Sequence, residues 1–153
     1  GIGDGAAVDV AVRLTGLDLS VPMLDEARRR AEQAGRSATW VEGDAGDLPF
    51  GDDTFDSVVS TFALCGVRDV ERALAEIIRV VRPNGRILLA DHVVSTNPFI
   101  HGLQFVAEAV TSRTSGEHWT RRPLPKLERM GVQIVDSGRR HLGVIEHLYA
   151  RKR

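Results

Sequence analysis

Three glycines at alternate positions, Gly1, Gly3 and Gly5 in GIGDGAAV, open the chain. Residues without a Cβ let backbone N–H groups approach a ligand closely, and ahead of a helix they suit a carboxylate or a phosphate. A Gly-rich flexible terminus shows the same spacing, so the glycines alone leave both readings open. Asp18, in GLDLS, stands about where an acid accepts hydrogen bonds from ribose hydroxyls; the plainer reading is a turn or capping acid ahead of Ser20. Asp44, in VEGD, is placed to accept from an exocyclic amine or to serve as one more turn acid. STFALC, Ser60 to Cys65, lies where a strand opens onto a crevice.

Two histidines are candidates for a general base, His92 after LLAD and His118 in SGEHWTRR. His92 reads first as a structural neighbour of a site and second as catalytic, and His118 with Arg121 as pocket or loop-anchoring residues. Cys65 follows an apolar run with no basic partner set by sequence, so it reads as a buried small hydrophobe rather than a nucleophile. No His, Cys and carboxylate cluster has metal-ligand spacing, and no metal site is expected. Arg28 to Arg30 and Arg121 to Arg122 read as solvated faces. Trp119 with Phe99, Ile100, Leu103, Phe105 and Val106 forms an apolar set that is either a pocket cap or ordinary core.

These residues need elements to hold them. Arg13 to Leu17 is an apolar strand ending on Asp18, preceded by a short helical stretch. Ser20 then caps a helix with Pro22 in its first turn, Asp25 and Glu26 near its positive end, Leu24, Ala27, Ala31 and Ala34 at helical spacing, and Gly35 as its stop. SATWVEGD is a second strand, GDLPFGDDT is turn chemistry, and FDSVVSTFALC suits a strand buried on both faces. VRDVERALAEIIRVVRPNG is an amphipathic helix with Ala73, Leu74, Ile77, Ile78 and Val81 toward a core, stopped by Pro83 and Gly85, and RILLADHVV is the next strand. The alternation predicts an α/β fold with a doubly wound, mostly parallel sheet. From Ser95 the rhythm changes to one or two helices, then a short helix in PLPKLERMG and two strands in VQIVDSGRRHLGVIEHLYARK. A single domain is expected, with residues 1–95 the cofactor half, 96–131 a variable helical substrate segment and 132–153 the final strand pair.

Composition narrows the function. The chain has 153 residues, 42% hydrophobic and 27% charged, which is ordinary for a globular domain and enough for a core without disulfides. Twenty basic against twenty-one acidic residues give a net charge of -1, so no overall field favours nucleic acid or an anionic membrane. No apolar run approaches the ~18 residues of a membrane span, and the single Cys65 suits a reducing, cytoplasmic setting.

GIGDG, GLDLS with its Pro-Met-Leu helix, EGDAGDLPFGDDTFDSVV and RVVRPNGRILLADH occur in this order in the chain. In that order and spacing they resemble the class I S-adenosylmethionine-dependent methyltransferases, in the branch called methyltransferase type 11. That branch includes enzymes similar to the ubiquinone/menaquinone C-methyltransferases and small thiol or lipid methyltransferases. The resemblance runs from Gly1 to about Gly131 and more loosely through the last two strands. It implies a Rossmann-like methyltransferase sheet with a C-terminal antiparallel strand pair. It also implies S-adenosylmethionine as cofactor, S-adenosylhomocysteine as product, and a small, apolar or amphipathic methyl acceptor. By the same resemblance Gly1, Gly3 and Gly5 lie under the methionine moiety. Asp18 binds the ribose with Leu19 and Met23 beside the adenine, Asp44 faces the adenine amine with Ala45 as its backbone neighbour, and Ser60, Thr61 and Phe62 flank the sulfonium.

Two departures from the pattern stand out. The family's first strand, with an acid two residues before the first glycine, is not in this chain; because that strand is central in the family sheet, the gene product is expected to begin earlier. The stretch from Gly5 to Asp18 is tighter than the family norm, which bears on the first helix. Two other functions remain in view from sequence. An NAD(P)-binding oxidoreductase would need GxGxxG, whereas Gly5 comes one residue early and no catalytic Tyr-Lys or His-Arg pair follows. A non-catalytic interaction module on the same fold is the other.

Overall fold

The computed structural model describes residues 12–93, 123–140 and 144–153. It forms two compact units, Gly1–Asp44 and Ala45–Arg153.

In the first unit, β1 (Thr15–Asp18) and β2 (Thr39–Glu42) pair in parallel, joined by α1 (Val21–Gln33). Gly16 faces Trp40 across the pair, and a Cβ on Gly16 would come within 2.4 Å of the indole ring. Only glycine lets that ring lie flat on the strand. Ser20 occupies the N-cap of α1, but its hydroxyl makes no capping bond; Ser20 N–H instead donates to Asp18 Oδ1 at 2.8 Å. The expected hydroxyl cap is thus replaced by an aspartate turn, which the short Asp side chain forms readily two residues upstream. Asp25 and Glu26 fall beyond the first turn, where they pair with Arg28 and with Arg29 and Arg30 rather than with the helix end. Gly35, at φ +64, ends the helix as expected: its N–H bonds Glu32 O and the N–H of Arg36 bonds Ala31 O, which satisfies the last carbonyls.

In the second unit, four strands run in the order β3-β4-β6-β5: β3 (Phe55–Thr61), β4 (Val81–His92), β6 (Ile145–Arg151) and β5 (Gln133–Arg140). β3 is parallel to β4, and β6 is antiparallel to both β4 and β5, so β6 alone in this sheet runs against the rest. This is the expected mainly parallel order with an antiparallel strand pair at its end. α2 (Val70–Val80) and α3 (Pro123–Arg129) join it, with Leu74, Ile77, Val81, Ile87, Leu127 and Leu148 in one core. α2 begins at Asp69, whose carboxylate accepts the Arg72 N–H at 3.0 Å.

Two expectations are corrected here. α2 ends at Val80 and β4 begins at once, so Val81 is buried on a strand, Ile78 is only partly buried, and Val70 and Val80 complete the buried face. Pro83 stands two residues beyond the C-cap Val81, where its ring bars further helix as expected, and with Gly85 it lies in an irregular stretch at the start of β4. Asn84 takes φ 63 there, and a Cβ on Gly85 would meet the Val81 side chain at 2.5 Å. The partner register jumps accordingly from Phe55↔Val81 to Ser57↔Arg86. Second, β3 is not buried on both faces: Val59 is 65% exposed while its neighbour Val58 packs against the core.

Candidate cofactor site

Ligands of open α/β sheets bind beyond the carboxyl ends of the strands, and the predicted site residues fall at three such ends. In the first unit, Asp18 is the last residue of β1 and is exposed. One carboxylate oxygen receives the Ser20 N–H, and its main-chain carbonyl receives the Gly43 N–H at 3.1 Å from just past β2. The aspartate is therefore set in orientation by its own turn while remaining open to solvent. Leu19 and Met23, 65% and 59% exposed, flank it with apolar surface. Asp44 is exposed, two residues beyond the end of β2. An oriented acid beside exposed apolar side chains, with a second acid after the neighbouring strand, is a donor-accepting and stacking set that fits a nucleoside. Gly1, Gly3 and Gly5 lie outside the described residues.

In the second unit, Ala45 is half-buried and packs against the core. Ser60 is half-buried and Thr61 exposed at the end of β3, where they pair with Leu89 and Ala90 of β4. Phe62 follows with φ 53, a left-handed conformation that a bulky residue rarely adopts, and is 51% exposed. Its N–H donates to Ala90 O at 2.8 Å, extending the β3–β4 ladder by one bond before the chain turns away. Leu64 N–H then donates to Asp91 Oδ2 at 2.7 Å, and Cys65 Sγ lies 3.6 Å from Phe62 O. Cys65 is buried, in keeping with its reading as a small core hydrophobe. Strain of about 1–3 kcal/mol held at a strand tip is commonly the signature of a functional turn.

Asp91, 2% exposed, sits opposite Glu146 of β6, which in turn faces Arg139 of β5; the Arg139 Nε donates to Glu146 Oε1 at 3.2 Å. Asp91 also holds the turn after β3 through the Leu64 N–H. His92 closes β4 by pairing with Ile145, and its side chain, like His118, Trp119 and Arg121, lies outside the described residues. Among the described residues no group of three or more His, Cys, Asp or Glu is placed to hold a metal ion.

One feature of the second unit had only a weak sequence signal. The GDLPFGDD loop carries Pro49 and Gly51 and forms no ladder, so its half-buried backbone groups at Leu48 and Phe50 find partners outside a sheet. α2 supplies them. Glu76 accepts the Leu48 N–H at 2.8 Å, while Arg79 donates to Leu48 O at 3.0 Å, to Phe50 O at 2.8 Å and to Asp52 Oδ1 at 2.8 Å. Arg79 also binds Glu76 through two nitrogens at 2.7 Å each. That fork, reinforced by the Leu48 amide, outweighs desolvation and pulls the Glu76 carboxyl down to about 2, while the same pairing raises Arg79. The signal in sequence is the i,i+3 spacing of Glu76 and Arg79 on an amphipathic helix.

The ubiquinone/menaquinone biosynthesis C-methyltransferase UbiE of Ruegeria sp. is 44% identical over 79 residues, which cover 50% of this chain and 32% of that protein. The chain thus spans about a third of the length of that relative. Among solved structures, an S-adenosylmethionine-dependent methyltransferase of Methanosarcina mazei superposes with a TM-score of 0.73 at 19% identity, covering 90% of this chain and 81% of the other. The [4+2]-cyclase SpnF superposes with a TM-score of 0.75 at 19% identity, covering 94% and 67%, so the shared architecture by itself does not dictate a reaction. A family model described as a methyltransferase domain matches residues 1–89, more than half of the chain, from the glycine-rich opening through Leu89 of β4. By that match the chain belongs to the methyltransferase domain family.

Proposed function

We propose that this chain binds S-adenosylmethionine and transfers its methyl group to a small, apolar or amphipathic acceptor, leaving S-adenosylhomocysteine. The observation that carries the reading is Asp18: an exposed carboxylate at the end of β1, oriented by the Ser20 N–H and flanked by the exposed Leu19 and Met23. The similarity to enzymes named for ubiquinone and menaquinone supports an apolar acceptor.

When bound, the cofactor supplies an electrophilic methyl group on a sulfonium. Displacement there is in line, so the protein's work is to align the acceptor and exclude water. In this reading Asp18 accepts from the ribose hydroxyls, Leu19 and Met23 cover the adenine, and Asp44 accepts from its amine beside Ala45. Gly1, Gly3 and Gly5 present backbone N–H groups to the methionine end, and Ser60, Thr61 and Phe62 line the methyl side. A general base acts only for an acceptor that carries a proton; His92 and His118 are the candidates to hold it. Among the described residues no helix is long and apolar enough to cross a membrane.

Isothermal titration with S-adenosylhomocysteine tests this reading. Binding by the wild-type chain is expected, and Asp18→Ala should weaken it by removing charge-assisted hydrogen bonds worth about 1.5–3 kcal/mol, roughly 10- to 100-fold in affinity. Absence of binding, or binding of NAD instead, removes the cofactor assignment. Equal affinity in the variant moves the ribose contact to another residue.

A further inference from the structure

We propose that the face of the four-stranded sheet turned away from α2 and α3 binds an anionic amphiphile, with its phosphate head on Arg86 and Arg151 and its chain on Val59, Leu88 and Tyr149. These residues all belong to the second unit, and the inference does not rest on the cofactor reading.

Strand alternation defines the face. Val58, Ile87, Ala150 and Ile134 are register partners across all four strands, and they pack in the core that α2 and α3 share. Successive side chains of a strand point to opposite faces, so the residue beside each of these four lies on the other side. Ser57, Arg86, Arg151 and Gln133 are those residues; they too are register partners, and all four are exposed. A row of hydroxyl, two guanidinium groups and amide thus crosses the sheet. Two residues along, about 6–7 Å away, Val59, Leu88 and Tyr149 form the next row on the same face. Val59 is 65% exposed and Leu88 38%, while Tyr149 is half-buried.

The two arginines say what kind of ligand fits. They stand directly opposite each other on β4 and β6, where Cβ atoms are about 4.5–5.5 Å apart and like charges repel. The acids next to them in sequence or register are engaged elsewhere: Asp56 pairs with Arg82, and Asp136, opposite Tyr149, lies 4.0 Å from His147 Nε2. Arg151 is held in place by Tyr149, whose hydroxyl accepts its Nε–H at 2.8 Å and whose ring centroid lies 5.9 Å from the guanidinium carbon. Its terminal N–H groups remain for a ligand. Two forked cations side by side match the oxygens of a phosphate monoester, whose charge of about -2 offsets both.

The apolar row decides between a bare anion and an amphiphile. A simple phosphate leaves Val59 and Leu88 in water, and an uncharged apolar ligand leaves the arginines facing each other. One molecule with an anionic head and an apolar chain satisfies both rows at once.

The test titrates the whole chain with dodecyl phosphate below its micelle concentration, with inorganic phosphate and with dodecanol. Dodecyl phosphate should bind at least about tenfold more tightly than either of the others, and added salt should weaken it. Arg86→Gln and Arg151→Gln should each lose about tenfold for dodecyl phosphate, whereas Arg68→Gln, which removes the same charge from an exposed position off the sheet, should change nothing. Val59→Ser should weaken dodecyl phosphate and leave inorganic phosphate unchanged. Equal losses in all three arginine variants would mean attraction to net charge only, and unchanged binding in Arg86→Gln and Arg151→Gln would place the amphiphile elsewhere; either overturns the proposal. Binding to vesicles of phosphatidylglycerol and phosphatidylcholine without binding of monomeric dodecyl phosphate would overturn it in favour of a membrane surface. S-adenosylhomocysteine titration of the same variants reports on the cofactor reading separately.

Discussion

The Leu64 N–H donates to Asp91 Oδ2 at 2.7 Å, with Asp91 only 2% exposed. This bond ties the turn after β3 to the end of β4. A buried carboxylate accepting a main-chain N–H satisfies a donor that no ladder reaches, because the chain leaves β3 at Phe62.

Removing that acceptor should be costly. Asp91→Ala leaves the Leu64 N–H buried without its acceptor and is expected to lower unfolding stability by about 1–3 kcal/mol. Asp91→Asn keeps an oxygen in place and should lose less. Urea unfolding of the three proteins reads the order; an alanine variant as stable as wild type would mean that the turn is held by other contacts.

Phe62 stores backbone strain at the same turn. Phe62→Ala and Phe62→Gly both remove the exposed ring, but only glycine is at ease at φ 53. The glycine variant should be more stable than the alanine variant by about 1 kcal/mol. Thermal melts of the pair measure the difference. If the strained turn also shapes the site, both should bind S-adenosylhomocysteine less tightly than wild type.

At Gly16 the expected effect is purely steric. A Cβ there lies 2.4 Å from a Trp40 ring atom, so Gly16→Ala must push the indole off β1 and should destabilise by about 1–3 kcal/mol. Denaturant titration followed by tryptophan fluorescence checks it, and an unchanged midpoint would show that the ring has a second resting place.

The Glu76–Arg79 pair predicts a pH dependence of stability. The Glu76 carboxyl is held at about 2 in the folded chain against an ordinary 4.5, chiefly by the Arg79 fork. A depressed acid contributes stability above its unfolded value and loses it as pH falls toward the folded one. Wild type should therefore exceed Glu76→Gln in stability at pH 6, with the gap closing between about pH 5 and pH 2. A gap that persists at pH 2 would assign the difference to packing instead of charge.

Much of the fold was legible in sequence because its signals are local. Gly35 closes α1 in the left-handed conformation, the apolar spacing of Ala73, Leu74 and Ile77 marks the buried face of α2, and Pro123–Arg129 is helical between the expected strand regions. The same alternation put Asp18 at the end of β1 and Asp44 at the end of the next strand, two residues past which it lies. Where local signals misled, a distant partner explains the difference. Val81 carries the helical spacing of α2, yet it opens β4 opposite Phe55, and the stretch after it is tied to the end of the chain by the Asn84 N–H to Lys152 O and the Lys152 N–H to Gly85 O.

What the sequence by itself determined was the kinds and order of elements and the family they resemble, since propensity, capping and periodicity act over a few residues. The tertiary structure alone decided that Asp91 serves Leu64 across 27 positions, and that Glu76 and Arg79 hold a loop 28 to 31 positions away. It also decided that Phe62 turns left-handed. Those outcomes follow from sheet register and from the need to satisfy buried backbone groups, and neither exists until β3, β4 and α2 have packed together.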